Sequence, residues 1–204
     1  GKPEASDFDI TKAGAKVTKV SDAGNAIMIT GATHARELLS MQVPLFLCLK
    51  FLHQAVVQNN HRYQQILRDQ KFYFLPAINV DGAAVVEEHW LSEHKILNKR
   101  KNMNPNLNMC DVENSGVDLN RNYGVDWTSE NVANHTELCG DYWPGQEPFS
   151  EPESRAIRDF VASKREEIKF IFNCHTSGNE FIWPFNGRDH NDIEKRAPGY
   201  LAIF

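Results

Sequence analysis

The sequence predicts an α/β fold, a sheet covered by helices on both sides. Two observations carry this. Strand-like and helix-like stretches alternate along the chain, and several of the strand-like ones are apolar at nearly every position, as strands buried on both faces are. "KFYFLPAIN" (71–79) and "IKFIFNCH" (168–175) are the clearest cases.

Taken in order, residues 1–13 form a polar lead-in. "KVTKV" (16–20) and "AIMIT" (26–30) flank Gly24-Asn25 and predict a hairpin. From about Glu37 to Gln58 the apolar residues keep a helical rhythm: Leu38, Leu39, Val43, Phe46, Leu47, Leu49, Leu52, Val56. Pro44 lies inside that stretch, so the helix is either kinked or begins later. "NHRYQQILRD" predicts a second, exposed helix, and "KFYFLPAIN" a buried strand. Residues 92–147 are rich in Asn and Gly and lack periodicity; an irregular stretch that long is functional or disordered. A helix follows in "SEPESRAIRDFVASK", with Ser150 as cap, Glu153 closing a capping box and Pro152 in the first turn. "IKFIFNCH" and "EFIWPF" complete the strands. No internal repeat or low-complexity segment interrupts the chain.

Composition narrows the function. A chain of 204 residues, 41% hydrophobic and 24% charged, suits one globular domain. A net charge of −5 and a pI near 5.9 argue against nucleic-acid binding through phosphate neutralisation. The longest unbroken apolar run, "VPLFLCL", is far shorter than the roughly 20 residues that span a bilayer, so no membrane span is expected. The chain closes on the apolar "APGYLAIF", and more of the domain is expected to follow. Of four cysteines, Cys48 and Cys174 sit in apolar stretches and read as buried free thiols, while Cys110 and Cys139 lie in loop-like sequence and could pair. Asn134-His135-Thr136 is a glycosylation sequon.

Chemistry gathers at strand ends. His34 follows "AIMIT", His175 ends "IKFIFNCH", and in an open α/β sheet sites form at the carboxyl ends of parallel strands. Glu37 lies about one helical turn beyond His34 and can reach the same point. Two His and one Glu are the ligand set of a catalytic zinc with an open fourth position. Taken as a pair, His34 and Glu37 fit equally a hydrogen-bonded core histidine beside a capping glutamate. Asn120 and Arg121 in "GVDLNRNYG" and the cationic run Lys99-Arg100-Lys101 add polar and planar two-pronged donors suited to carboxylates and oxyanions, although such a run is commonly just a solvated surface.

Six phrases then fall in one order: "THARE", "LPAINVDG", "KRKN", "GVDLNRNYG", "CGDYWPGQEPFSEPE" and "NCHTSGNEFIWP", spanning roughly residues 25–187. On these the chain resembles the zinc metallocarboxypeptidases of the pancreatic carboxypeptidase A/B type. The resemblance implies a three-layer α/β/α fold with a mixed, mostly parallel sheet. Residues 1–204 would be the amino-terminal part of a single catalytic domain that continues beyond Phe204. It implies one Zn²⁺ per chain on His34, Glu37 and His175, with Arg100 holding the developing oxyanion. Asn120 and Arg121 would grip the terminal carboxylate of a peptide or protein substrate, and Arg36 would line the substrate groove. It also implies a Cys110–Cys139 disulfide and with it a secreted or otherwise extracytoplasmic location. The activity implied is hydrolysis of the C-terminal peptide bond; the alternative is an inactive member serving as a binding or structural subunit.

Three departures accompany the resemblance. Ser177 stands where pancreatic members carry a tyrosine, and Leu38 where they carry a tryptophan. The family's catalytic glutamate and its substrate-capping tyrosine fall further along than residue 204, so residues 1–204 alone are expected not to hydrolyse peptides.

Overall fold

The structure is a computed structural model that describes residues 26–106, 109–127 and 135–182. Strand β1 (Ala26–Thr30) lies at the centre of a three-stranded sheet of order β2-β1-β3, with β2 at Lys71–Leu75 and β3 at Ile168–Asn173. Both pairings are parallel. The β1/β3 register slips by one residue near Ala26, then holds through Thr30 opposite Asn173, so the carboxyl ends of the two strands are level. The first strand of the expected hairpin, at 16–20, lies outside the described residues, as does "EFIWPF" from Trp183 onward. Glu180–Ile182 form no strand.

Helices lie on both faces of the sheet at β2. Phe72 and Tyr73 are adjacent in β2 and so point to opposite sides. Phe72 meets Phe51 of α1 (Leu38–Leu52) edge to face at 5.1 Å, and Tyr73 meets Phe160 of the carboxyl-terminal helix in the same manner, also at 5.1 Å. Each such aromatic pair contributes about 1 kcal/mol beyond its buried area. The α/β/α layering expected from the sequence is thereby present.

Helix α1 starts at Leu38 and runs through Pro44 without a break, then passes into a single π-helical turn at His53–Val57. Gly31 makes this packing possible: a Cβ there would lie 2.1 Å from the Ser40 carbonyl oxygen. The Ser40 hydroxyl accepts from the Ala32 amide and donates to the Glu37 carbonyl, tying the helix start to the end of β1. The run Leu38–Val57 covers 20 residues with mean hydropathy 1.3, which by length and composition is enough to cross a bilayer. The unbroken "VPLFLCL" understates it, because Lys50 and the polar positions are spread through the helix rather than ending it. A helix laid on a sheet passes the same test, and no membrane span is concluded. Leu39, Phe46 and Leu49 on α1 and Phe170–Phe172 on β3 are exposed.

Helix α2 (His61–Asp69) is capped by Asn60 and buries no residue, as its polar sequence predicts. Helix α3 (Val80–Glu93) is capped by Asn79, whose Oδ1 accepts from the Gly82 amide, and packs Val86 and Val85 with Ala35, Leu38 and Leu97. Among the described residues from 94 to 151, only a 3₁₀ turn at Leu119–Arg121 is regular.

Helix α4 (Pro152–Ser163) has Pro152 in its first turn as expected, but its cap is Glu151 rather than Ser150. The Ser150 hydroxyl is engaged elsewhere, donating to Glu151 Oε1 and accepting from Asn122 Nδ2, both at 2.8 Å. Glu153 accepts from Asn102 at 3.2 Å instead of closing a capping box. Loop contacts across the fold compete for these side chains and win.

Candidate metal centre

The parallel, level ends of β1 and β3 deliver the site. His34 lies four residues past Thr30, and His175 two past Asn173, at the same rim. Ala32 turns the chain out of β1 in a left-handed conformation (φ 45°), which an L-residue adopts only when its surroundings enforce it. Three side chains then meet. His34 Nδ1 is 2.6 Å from Glu37 Oε1, His175 Nδ1 is 2.9 Å from Glu37 Oε2, and the two Nδ1 atoms are 3.2 Å apart. The Thr176 amide also donates to Glu37 Oε2.

This donor set suits a metal ion. Two imidazole nitrogens bound tetrahedrally to zinc at about 2.05 Å would stand about 3.3 Å apart. The far nitrogen of His34, Nε2, faces Asp118 Oδ1 at 3.2 Å and donates to it, which leaves the Nδ1 lone pair facing a carboxylate oxygen. Two acceptors at that separation need a proton or a cation between them. Burial alone would push the His34 pKa down, but hydrogen bonds to Asp118 and Glu37 outweigh it and leave it raised. Burial would raise Glu37, yet its hydrogen bonds from His175 and His34 bring it down to about 2. His34, Glu37 and His175 are the residues that could hold a metal here, and they bring together the three positions read from the sequence.

Asp118 serves several partners at once. It caps the 3₁₀ turn by accepting from the Asn120 amide, as a residue ordering that loop should. It is also fully buried, and joins His34 through Oδ1 to Arg100 through Oδ2, where Nε and Nη2 donate at 3.0 and 2.9 Å. Burial pushes its carboxyl up, and the His34 hydrogen bond with the Arg100 charge brings it below the usual carboxylate range. The available signal was a carboxylate flanked by two core residues, Val117 and Leu119, which must find partners when buried.

Arg100 is buried and Arg121 half-buried, and both approach one ring: their Cζ atoms lie 5.0 and 5.6 Å from the centroid of Tyr142. Arg121 Nη1 donates to the Asn120 carbonyl and makes no ion pair among the described residues. Arg36 is tied to Asn98 and, at 3.2 Å, to Asp141. Lys99 and Lys101 are not a solvated surface: both are buried, and backbone carbonyls satisfy them, Ser115 for Lys99 and Leu138 and Gly140 for Lys101. Burial, with the neighbouring Lys101 charge, lowers Lys99 to about 8.

Cys110 and Cys139 form a disulfide with Cα atoms 5.6 Å apart, and Lys101 clasps the carbonyls on either side of Cys139. Cys48 and Cys174 are free as expected, though partly rather than fully buried. Asn134 of the sequon lies outside the described residues.

Comparison with known proteins shows the family of the chain. Residues 9–198 match the zinc carboxypeptidase family (Peptidase_M14). Mast cell carboxypeptidase A of Homo sapiens is 32% identical over 189 residues, 89% of this chain and 42% of that protein. Carboxypeptidase B of Astacus astacus is 29% identical over 159 residues, 78% of this chain and 48% of that protein. Among solved structures, bovine thrombin-activatable fibrinolysis inhibitor, in complex with tick carboxypeptidase inhibitor, superposes with a TM-score of 0.60 at 25% identity. It covers 83% of this chain and 53% of its own. Carboxypeptidase A from Helicoverpa armigera gives 0.55 at 28% identity, over 76% and 34%. The chain thus spans less than half the length of the curated relatives it matches. It belongs to the zinc carboxypeptidase family.

Proposed function

We propose that this chain carries the metal centre and carboxylate clamp of a zinc-dependent carboxypeptidase acting on the C-terminal bond of peptides and proteins. The observation that supports this most is the convergence of His34 Nδ1, Glu37 and His175 Nδ1 beside two arginines that share the Tyr142 ring. One zinc ion on those three residues would supply Lewis-acid polarisation of the scissile carbonyl and acidify a water.

The chain's own residues do the rest. Asp118 holds the proton of His34 on Nε2, so that Nδ1 stays a lone-pair donor. It also fixes Arg100, whose Nη1 has no hydrogen-bond partner among the described residues and is left for an oxyanion that forms only in the transition state. Arg121, with a fork that no carboxylate occupies among the described residues, takes the substrate's terminal carboxylate beside Asn120, which restricts the site to chain ends. Arg36, half-exposed and steered by Asp141, lines the approach. The disulfide suits an oxidising, extracytoplasmic compartment.

The test is binding of an N-blocked dipeptide and of its C-terminal amide to the zinc-loaded protein. The free acid should bind at least about tenfold tighter, on the order of one charge-assisted hydrogen-bond pair. Equal affinities would reject the clamp.

A second reading, binding without turnover, has its own support. Both carboxylates that touch His34 are committed, Glu37 to the two histidines and Asp118 to His34 and Arg100. Neither is free to take the water's proton and pass it to the leaving amine, a transfer that typically contributes about 10² to 10⁴ in rate. Residues 1–204 by themselves are therefore proposed to hold zinc and bind chain ends without hydrolysing them. Release of C-terminal residues by this chain alone would contradict that.

A further inference from the structure

We infer that Asn173 is a positioning residue of the metal centre: its side-chain amide, anchored by Thr30 and Thr33, orients the His175 imidazole. The inference rests on the proposed role of His175 as a ligand.

Of the three proposed ligands, His175 has the least support from packing. Its side chain is 32% exposed, against 3% for His34 and 9% for Glu37. His34 is aimed by Asp118, whereas no carboxylate faces Nε2 of His175 among the described residues. What faces it is Asn173 Nδ2, at 3.1 Å. That amide is held in turn, because Asn173 Oδ1 accepts from Thr30 Oγ1 at 2.8 Å and from Thr33 Oγ1 at 3.1 Å. Asn173 is the last residue of β3 and pairs with Thr30, the last of β1. The network therefore fastens the His175 ring to the strand that carries His34.

The amide serves both forms of the ring. Without metal, Nε2 accepts from Nδ2, and Nδ1–H points at Glu37 Oε2, 2.9 Å away. A ring that ligates through Nδ1 carries its proton on Nε2 and needs an acceptor there. A half-turn of the amide presents Oδ1 to Nε2–H and Nδ2 to the threonine hydroxyls, which accept as readily as they donate. A carboxylate at this position could only accept, and a leucine could do neither.

Zinc affinity of the full chain, measured by competition with a chelating dye, tests this in Asn173→Leu, Asn173→Asp, Thr33→Val and His175→Ala. N173L should bind zinc about 10- to 100-fold more weakly than the unsubstituted chain, the usual effect of removing such a partner. N173D, which keeps the acceptor, should bind as tightly or more tightly, and that rescue sets orientation of the ring apart from simple packing. T33V should weaken binding about threefold, a smaller loss because one of two anchors remains, and it carries the test if N173L does not fold. Zinc binding by N173L or T33V equal to that of the unsubstituted chain would overturn the inference. So would a loss in N173D as large as in N173L. Retention of zinc by H175A would overturn the ligand assignment itself, whereas loss in H175A with retention in N173L would reject only the role of Asn173.

Discussion

Asp118 touches His34 on one side and Arg100 on the other: Oδ1 lies 3.2 Å from His34 Nε2, and Oδ2 takes two hydrogen bonds from the guanidinium. A single buried carboxylate thus couples the proposed metal centre to the proposed oxyanion site.

Removing that carboxylate should damage both. Asp118→Ala leaves the Arg100 charge buried without its partner, and breaking a buried pair from one side costs about 3 to 5 kcal/mol. Asp118→Asn should fold better and still lower zinc affinity about 10- to 100-fold, since an amide holds the His34 proton less firmly. Chemical denaturation and dye competition on the two variants check these outcomes; full zinc affinity in D118N would contradict the coupling.

The acid limb of stability should contain a component from Glu167. Its Oε2 accepts from Lys71 at 2.6 Å and from Tyr73 at 2.8 Å, while Oε1 accepts from Lys164. The hydrogen bond from Lys71, then those from Tyr73 and Lys164, bring its pKa from 4.5 down to about 2. A depressed carboxyl stabilises the fold above its unfolded pKa, and that stability is lost as pH falls through the folded one. The loss should therefore fall between pH 4.5 and about 2. Urea midpoints measured across that window should decline less steeply in Glu167→Gln, and identical slopes would count against the contact.

The disulfide should stabilise by closing a loop of 29 residues' separation, worth about 3 to 4 kcal/mol on the chain-entropy account. Cys110→Ser with Cys139→Ser should lower the unfolding free energy by that order. Lys101, which clasps both flanking carbonyls, should retain part of the loop's order, so Lys101→Met in the same background should lower it further. An unchanged midpoint after reduction would refute the contribution.

Arg121→Ala should weaken binding of a free C-terminal carboxylate by about 2 kcal/mol, close to thirtyfold, and leave the amide unaffected. Calorimetry with the paired ligands reads this directly. An equal loss for acid and amide would mean that Arg121 supports the loop rather than the ligand.

Much of this was legible from the chain, for identifiable reasons. Parallel strands announce themselves as continuous apolar runs, so β2, β3 and the rim shared by His34 and His175 could be read directly, but the burial expected of both strands is met only in part: β2 is half-buried and β3 is exposed from Lys169 to Asn173. The proposed ligands were reached from the strand-end positions of His34 and His175 together with the resemblance carried by the six ordered phrases, because H-x-x-E alone also fits a core histidine beside a capping glutamate. Helix α3 was not found: its Gly82-Ala83-Ala84 start and scattered apolar positions give weak periodicity, and its cap is visible only once Asn79 meets the Gly82 amide. The Ser150 cap was misread because Asn122, 28 residues away, takes up its hydroxyl. The burial of Lys99 and Lys101 was equally hidden, because the carbonyls that satisfy them are 16 to 39 residues distant. Local pattern reveals what local chemistry decides, and contacts over such separations belong to the folded chain.

Bound zinc is the most direct test of the centre formed by His34, Glu37 and His175. Elemental analysis of the purified chain after zinc loading and dialysis should give one zinc per molecule, and His175→Ala should give almost none while keeping the far-ultraviolet circular dichroism of the unsubstituted chain, since β3 ends at Asn173 and its pairing does not involve His175. Full zinc occupancy in the substituted chain, or none in the unsubstituted one, would contradict the centre described above.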